Sequence, residues 1–320
     1  MKRFFSVLFV LILSLTLLAG CGKEDPVTVR IAGLKGPTSM GLVQVMEQAA
    51  EGKTANPYDF VIAGSADEIT PKLVKGELDM AAIPANLASV LYNNTQGEIQ
   101  LLAVNTLGVL YIVEKGSAVQ SWEDLRGRTI YATGKGSTPE YTLRYLLQAH
   151  GLNPDQDVTL EWKSEPTEVV SLLQNAETGV AMLPQPYATV AQTSVEGLHT
   201  VLDLTAAWDE LDNGSALVTG VLVVRKDFAD VHPEAIRSFL KEYEASVSFV
   251  NTETAEAAQL IEKYGIVKAA VAQKALPYCN ITFVSGRDMQ PLVEGYLKVL
   301  YDQNPKAIGG ALPAASFYYE

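Results

Sequence analysis

The chain has 320 residues, a formal net charge of −13 and a hydrophobic content of 48%, which is ordinary for a globular protein. Its acidity argues against binding of nucleic acid or of anionic lipid through the folded body. After the N-terminus, no apolar stretch approaches the length of a membrane span.

The N-terminal segment has the layout of a secretory signal. A basic start, Met1-Lys2-Arg3, is followed by an apolar run from Phe4 to Leu18 that only serines and a threonine interrupt. Small residues then precede Cys21. The run is too short and wrongly flanked for a spanning helix, so residues 1–20 are predicted to be a signal peptide.

The sequence Leu18-Ala19-Gly20-Cys21 resembles a bacterial lipobox. In that family of signals the cysteine thiol is lipidated and the cysteine becomes the first residue of the mature protein. The alternative, a cytosolic protein with an apolar N-terminal helix, explains neither the basic start nor the cysteine. The resemblance therefore implies a body outside the cytoplasm, anchored by lipid to the outer face of the cell membrane, with residues 21–26 as the tether. Cys279 would then be the only thiol, which excludes an intramolecular disulfide.

An internal repeat with an offset of one hundred residues organises the rest of the chain. Lys35-Gly36-Pro37-Thr38 matches Lys135-Gly136-Ser137-Thr138, and Gln48-Ala49 matches Gln148-Ala149. Each copy is predicted to contain a strand, a Gly-rich turn, an amphipathic helix, a second strand and helix, and a short apolar strand that ends in proline. Such alternation predicts two α/β lobes, each with a mixed, mostly parallel sheet flanked by helices.

Two long β-rich runs, Leu101 to Val113 and Ala216 to Arg225, are placed where the chain would cross between the lobes. Lobe 1 is therefore expected to be discontinuous, with residues 27–107 and 219–320, and lobe 2 to comprise residues 108–218. Helices are predicted from His232 to Phe249, from Thr254 to Tyr264 and from Arg287 to Tyr301, with a strand from Asn280 to Val284 that completes lobe 1.

Three segments carry a family resemblance, and their order matters more than any one of them. They are Gly76-Glu-Leu-Asp-Met-Ala-Ala-Ile-Pro84, Ser121-Trp-Glu-Asp-Leu-Arg-Gly-Arg-Thr-Ile130 and Glu234-Ala-Ile-Arg-Ser-Phe-Leu240. With the lipobox, the whole mature chain resembles substrate-binding lipoproteins of ABC importers that have the type II periplasmic-binding-protein fold. The branch resembled is the nitrate, sulfonate, taurine and thiamine-precursor group. The resemblance implies a monomer that captures a small-molecule ligand between its lobes and delivers it to a permease and its ATPase subunits, without chemistry.

Candidate ligand residues follow from the fold, because ligands of open α/β sheets bind beyond the carboxyl ends of the strands. Glycine-rich turns and helix starts there offer exposed amides and the positive end of a helix dipole. The candidates are Pro37, Thr38, Ser39, Met40, Ser65 and Asn86 in lobe 1, Ser137, Thr138, Gln185, Tyr187 and Trp208 in lobe 2, and Asn105 and Thr106 in the first crossover.

Each group of candidates has a structural alternative. The hydroxyls of the paired turns are also suited to capping the following helices. Asn105 and Thr106 either hydrogen-bond within the hinge or contact ligand. Trp208 and Tyr187 either stack on a flat ligand or pack a lobe edge.

Enzymatic chemistry has little support in the sequence. The three histidines form no His-x-x-x-His pair, there is no Gly-x-Ser-x-Gly elbow, and Gly134-Lys-Gly-Ser-Thr138 lacks the upstream glycine of a phosphate loop. No metal, cofactor or catalytic residue is therefore predicted, and Cys279 is interpreted as a small buried hydrophobe. Two alternatives stay open: a sensor domain that does not transport, and an enzyme of the same fold, of the pyrimidine-synthase or thiaminase type.

Two ligand classes also stay open. Helix N-termini with Lys35 or Lys135 would suit a sulfonate, phosphate or carboxylate, whereas Asn86, Asn105, Gln185 and an aromatic ring would suit a neutral heterocycle. The cleft loops contain no arginine for a bidentate grip on an amino-acid carboxylate.

Overall fold

The computed structural model describes residues 26–320, which form two β-sheets with helices packed on them. The predicted signal peptide and Cys21 lie outside the described residues. Within the described range no helix combines the length and apolar character needed to cross a membrane.

The first sheet has six strands in the order β2-β1-β3-β10-β4-β11. Its strands are β1 (Val29–Leu34), β2 (Tyr58–Ala63), β3 (Met80–Pro84), β4 (Ile99–Thr106), β10 (Gly220–Arg225) and β11 (Ile281–Ser285). Helices α1 (Pro37–Met40), α2 (Val43–Ala50), α3 (Ala66–Val74) and α4 (Ala85–Asn94) connect the first four of them. Strands β1, β2 and β3 are parallel, whereas β10 is antiparallel to both β3 and β4, and β11 to β4. The sheet is mixed, as predicted.

The second sheet has five strands in the order β7-β6-β8-β5-β9. They are β5 (Leu110–Lys115), β6 (Thr129–Thr133), β7 (Thr159–Lys163), β8 (Gly179–Pro184) and β9 (Leu198–Asp203). The helices between and after them are α5 (Thr138–Ala149), α6 (Pro166–Asn175), α7 (Tyr187–Ser194) and α8 (Leu204–Asp209). Here β6 is parallel to β7 and β8, and β5 is antiparallel to β8 and β9.

The C-terminal part of the chain is mainly helical. It contains α9 (Lys226–Val231), α10 (Pro233–Thr252), α11 (Thr254–Lys263), α12 (Ala269–Ala275) and α13 (Met289–Gln303). Short 3₁₀ turns lie at Glu123–Leu125, Leu276–Tyr278, Gly286–Asp288, Pro305–Ile308 and Ala315–Phe317. The predicted C-terminal helices and the strand before the last of them are thus present, with ends that differ by a few residues.

The hundred-residue repeat is also a structural repeat. The order β2-β1-β3-β10-β4 in the first sheet corresponds to β7-β6-β8-β5-β9 in the second. In each sheet the antiparallel strand beside the third member, β10 or β5, is reached after the chain has crossed from the other sheet. Each sheet therefore contains one strand that the chain enters from the other sheet. These two crossings connect the two halves of the molecule.

The first crossover is shorter than its sequence suggested. The run Leu101 to Val113 is not one element, because β4 ends at Thr106 in the first sheet and β5 begins at Leu110 in the second. Gly108 lies in the break, where a Cβ atom would come within 2.1 Å of the Thr205 hydroxyl oxygen. The polar residues Asn105 and Thr106 end the first strand, and the break follows them directly. The second predicted run, Ala216 to Arg225, contains a shorter strand, which begins at Gly220.

Apolar side chains from both sheets form the largest core cluster. Trp208 of α8 is fully buried in it, with ring centroids 4.9 Å from Tyr145 and 5.7 Å from Tyr296. Tyr145 belongs to α5, which packs on the second sheet, and Tyr296 belongs to α13. A smaller cluster lies on the outer side of each sheet. The one on the first sheet surrounds Phe239 and Tyr243, and the one on the second sheet surrounds Leu173 and Leu183.

Candidate functional site

The candidate site lies where helix starts from the two halves of the molecule meet. Thr138, the first residue of α5, donates a hydrogen bond of 3.3 Å to the side-chain oxygen of Asn86 in α4. Tyr296 donates to the same Thr138 hydroxyl at 3.1 Å, and the Asn86 amide donates to the carbonyl of Ala307 at 3.2 Å. Thr138 is 1% exposed and Asn86 is 4% exposed. Two sequence-predicted ligand residues, one from each lobe, are thus in direct contact.

The hydroxyls of the two paired turns do not cap helices. Thr38 donates to the carbonyl of Leu34 at 3.1 Å, and Ser137 donates to the carbonyl of Gly134 at 2.8 Å. Ser39 is fully buried, and its hydroxyl has no hydrogen-bond partner among residues 26–320. Neither α1 nor α5 has a side-chain hydrogen bond to its first amides from its N-cap residue. The capping interpretation of these hydroxyls is therefore wrong.

Ser65 has a different environment from the paired turns. It is exposed, and both its amide and its hydroxyl donate to Glu68 of α3, at 3.0 and 3.4 Å. The carbonyl of Ser65 in turn accepts from the Glu68 amide. The bond from the Ser65 amide to the Glu68 carboxylate is the N3-to-N-cap half of a capping box, so the chain's own groups satisfy this end of α3.

Asn105 holds the first turn against the sheet. It is fully buried, its amide nitrogen donates to the Thr38 carbonyl at 3.3 Å, and its oxygen accepts from Thr106 at 3.0 Å. Gly220 faces this group closely, since a Cβ atom there would lie 2.6 Å from both the Asn105 oxygen and the Thr38 methyl. The contacts of Asn105 and Thr106 match the hinge alternative. Beside them, the buried Thr219 hydroxyl has no partner within the described range.

Gln185 and Tyr187 follow β8 in the second sheet, as Asn86 follows β3 in the first. Gln185 is 4% exposed, and its side-chain oxygen accepts from the amide and hydroxyl of Thr189 at 3.3 and 2.9 Å. Tyr187 is half-buried against the outer cluster of the second sheet, and this burial raises the pKa of its phenol. In the first lobe, Met40 is fully buried in the core and Pro37 begins α1.

Trp208 is enclosed by protein. Its indole nitrogen donates to the carbonyl and hydroxyl of Ser215, at 3.3 and 3.1 Å, and its ring lies between Tyr145 and Tyr296. These contacts match the packing alternative. The indole contributes to the contact between α8 and α13 and exposes no face for stacking on a ligand.

Several residues near the crossovers were not predicted from the sequence. Asn280 has a left-handed backbone with a φ of 42°, its side chain donates to the Gly108 carbonyl, and its own carbonyl accepts from the Leu107 amide. The Tyr111 hydroxyl donates to the carbonyl of Tyr278 at 3.1 Å. The segment before β11 therefore braces the first crossover. The sequence feature that could have indicated this turn is an asparagine directly before a strand, because asparagine tolerates the left-handed backbone region.

The buried polar side chains around the candidate site are uncharged. The buried carboxylates of the described residues are Asp79, which binds Arg30, and Glu114, which accepts from the amides of Ala118 and Val119. Both lie at the strand ends opposite to Pro84 and Pro184, as the register of β3, β5 and β8 shows. The buried polar side chains between the lobes are therefore hydroxyls and amides.

The described residues offer little for catalysis. No group of three or more His, Cys, Asp or Glu side chains is placed to hold a metal within residues 26–320. Burial raises the pKa of the Cys279 thiol to about 12, which removes the thiolate that nucleophilic attack requires. His150 stacks on Trp122 with a centroid distance of 4.6 Å, and burial lowers its pKa.

The fold and the two-sided site define the class of two-lobed periplasmic binding proteins. A family model described as the periplasmic substrate-binding protein of a phosphonate ABC transporter matches residues 42–276, so the chain belongs to this family of ABC-transporter substrate-binding proteins. No curated protein matches the chain in sequence.

Solved structures agree on the fold. An ABC transporter protein from Parabacteroides distasonis has a TM-score of 0.77 at 23% identity, over 92% of this chain and 99% of that one. The aliphatic sulphonate binding protein SsuA from Escherichia coli has a TM-score of 0.73 at 16% identity, over 92% and 93%. The nitrate-binding protein NrtA from Synechocystis has a TM-score of 0.58 at 14% identity, over 83% and 75%. The predicted two-lobed type II fold is confirmed.

Proposed function

We propose that this protein is a lipid-anchored, extracytoplasmic receptor that captures one small organic solute between its lobes. It would then deliver the solute, chemically unchanged, to the permease and ATPase subunits of an ABC importer. The observation that carries the proposal is the set of buried, uncharged hydroxyl and amide groups where the lobes meet, with Thr138 and Asn86 in contact. The family and the transport proteins of the same fold support it.

The proposed solute contacts come from both lobes. Thr38, Ser39 and Asn86 would contribute from the first, and Thr138 and Gln185 from the second. Ser39 and Thr219 support this assignment because their buried hydroxyls lack partners among residues 26–320. A buried hydroxyl without a partner costs roughly 1–3 kcal/mol, so a hydrogen bond from a solute would recover part of that cost.

The solute class includes a sulfonate or related organic anion and a neutral pyrimidine-like heterocycle. Either would bind through hydrogen bonds rather than through a cation, since the buried polar groups between the lobes carry no positive charge. An enzyme is the less supported alternative, because the Cys279 thiol is buried with a raised pKa. Recovery of the solute unchanged after incubation distinguishes a receptor from an enzyme.

The test is native mass spectrometry of protein purified without unfolding, followed by thermal melting with the compound identified. A solute at about one hundred times its Kd should stabilise the fold by about 2.7 kcal/mol. Asn86→Ala should lose most of this stabilisation, whereas Asn175→Ala, at the exposed end of α6, should keep it. A compound that stabilises both variants equally would place binding elsewhere. Loss of solute uptake in a deletion strain separates an importer component from a sensor.

A further inference from the structure

Helix α4 has a polar face that binds the C-terminal turn, which is defined here as residues 307–311. The side chains of this face are spaced three and four residues apart and belong to Asn86, Ser89 and Asn93. The hydroxyl of the second donates to the carbonyl of Ile308 at 2.8 Å. The amide of the third donates to the carbonyls of Ile308 and Ala311, at 2.8 and 2.7 Å, and the amide of the first donates to the carbonyl of Ala307. Distant parts of the chain are therefore joined by a row of side chain to backbone hydrogen bonds.

The bond to Ala307 determines how the Asn86 side chain is oriented. A carbonyl oxygen only accepts hydrogen bonds, so the amide nitrogen of Asn86 must be the atom that faces Ala307, at 3.2 Å. The amide oxygen is then directed to Thr138 of the second lobe, from which it accepts at 3.3 Å. The C-terminal turn, which lies outside both copies of the repeat, therefore sets the orientation of a candidate site residue.

The second copy of the repeat shows that such a helix forms without bonds to a distant segment. One hundred residues after Ser89 and Asn93, α7 carries Thr189 and Thr193. The Thr189 hydroxyl donates to the side chain of Gln185 at 2.9 Å, and the Thr193 hydroxyl donates to the carbonyl of Thr189 at 3.0 Å. Both bonds join residues that are four apart in the chain. The bonds from α4 to a distant turn therefore distinguish the first lobe from the second.

Gly309 allows the C-terminal turn to lie close to α4. Its φ is 87°, in the left-handed region, and a Cβ atom there would come within 3.0 Å of the Val90 Cα. Farther along the chain, the Ser316 hydroxyl lies 2.8 Å from the hydroxyl of Tyr92 on the same helix. The turn is thus attached to α4 along its length, which fixes the position of the Ala307 carbonyl.

We propose that Ser89 and Asn93 are positioning residues for the solute site. By holding the C-terminal turn on α4, they keep the Ala307 carbonyl bound to Asn86 and the Asn86 oxygen directed at the second lobe. They act through Asn86 and do not contact the solute, since Asn93 lies about 10 Å from Asn86 along the helix. The inference rests on the proposed receptor function and extends it to residues outside the space between the lobes.

The test compares Asn93→Ala with Asn94→Ala. Asn94 is the next residue of α4 and is exposed, so the control removes the same type of side chain without removing a bond to the C-terminal turn. A second variant, Gly309→Ala, displaces the turn while every side chain of α4 is kept. Thermal melting verifies that each variant is folded.

Two quantities are measured on each protein. Nuclear magnetic resonance gives the hydrogen-exchange rates of the Asn86 and Asn105 side-chain amides without added solute, and spectra of Asn86→Ala and Asn105→Ala identify the two signals. Asn105 is the internal reference, because its buried amide binds the Thr38 carbonyl and not the C-terminal turn. Native mass spectrometry gives the fraction of the protein that keeps the solute with which it was purified.

In Asn93→Ala the Asn86 amide should exchange at least about threefold faster than in wild type, because the turn that holds it has lost two hydrogen bonds. The Asn105 amide should stay within about twofold of its wild-type rate. Asn93→Ala should also keep a smaller fraction of the solute than wild type. Gly309→Ala should show the same changes, and Asn94→Ala should match wild type in both measurements.

An unchanged exchange rate of the Asn86 amide in Asn93→Ala overturns the inference. Equally faster exchange of Asn86 and Asn105 also overturns it, because that result indicates a loss of overall stability only. So does faster exchange of Asn86 with undiminished retention of solute. A wild-type protein that keeps no solute contradicts the proposed receptor function instead, and the exchange rates then judge the orientation of Asn86 by themselves.

Discussion

The hydroxyl of Thr138 donates to the side-chain oxygen of Asn86 at 3.3 Å, between helices that belong to different lobes. The same hydroxyl accepts from Tyr296 of α13. One oxygen atom therefore joins α5 of the second lobe to α4 and α13, which pack with the first sheet. Removing it changes both the contact between the lobes and the wall of the proposed site.

Thr138→Ala should lower the free energy of unfolding by about 1–3 kcal/mol, because it leaves the buried Asn86 oxygen and the Tyr296 hydroxyl unpaired. Affinity for the solute should fall by about ten- to a hundredfold if that hydroxyl also contacts it. Urea unfolding and calorimetry measure the two effects. Thr138→Ser keeps the oxygen and serves as the control. A Thr138→Ala protein that is as stable as wild type and binds as tightly would contradict both expectations.

Gly220→Ala should destabilise the fold by roughly 1–3 kcal/mol, since the new methyl group would lie 2.6 Å from the Asn105 oxygen and from the Thr38 methyl. Combining it with Asn105→Ala should give a smaller loss than the sum of the two single variants, because the clash is partly removed. Thermal unfolding of the four proteins measures this coupling. Additive losses would show that the Asn105 oxygen is not the group that excludes a side chain at Gly220.

Ligand should bring the lobes closer together by bending at the crossovers between Thr106 and Leu110 and between Asp209 and Gly220. Small-angle scattering should then give a smaller radius of gyration with the identified solute than without it. Tyr111→Phe removes the hydrogen bond to Tyr278 beside the first crossover and should change the size of this difference. A radius that the solute leaves unchanged would argue against closure.

The Cys279 thiol should be unreactive in the native protein. Its pKa is raised to about 12 by burial, so at pH 8 almost none of it is thiolate. In the Cys21→Ala variant it is the only cysteine, and a thiol reagent should label it only after denaturant is added. Rapid labelling of the folded protein would contradict this prediction and would support a nucleophilic role for Cys279.

Cys21→Ala should abolish lipidation and release the protein from the membrane fraction, while the folded body keeps its melting temperature. The motivation is the sequence Leu18-Ala19-Gly20-Cys21 after the apolar run. Fractionation of cells that express each form tests the prediction. Cys21→Ala retained in the membrane as fully as wild type would contradict the lipid anchor.

The order of strands and helices, and the repeat, could be predicted from local sequence patterns. The turns at Gly36 and Gly136 were recognisable from their glycines and from the repeat, and both glycines have positive φ angles, 135° and 77°, where glycine is favoured.

Tertiary structure alone decided which candidate side chains meet and which are closed off. Trp208 is enclosed by Tyr145 and Tyr296, residues far from it in the chain, and Asn105 binds the Thr38 carbonyl across the sheet. Asn105, Thr106 and Gly108 mark where the run Leu101 to Val113 divides, but the sheet that each buried strand joins had no local mark, because both strands are apolar. Such contacts depend on how distant segments pack, and the hydrophobic periodicity of one segment carries no information about its partners.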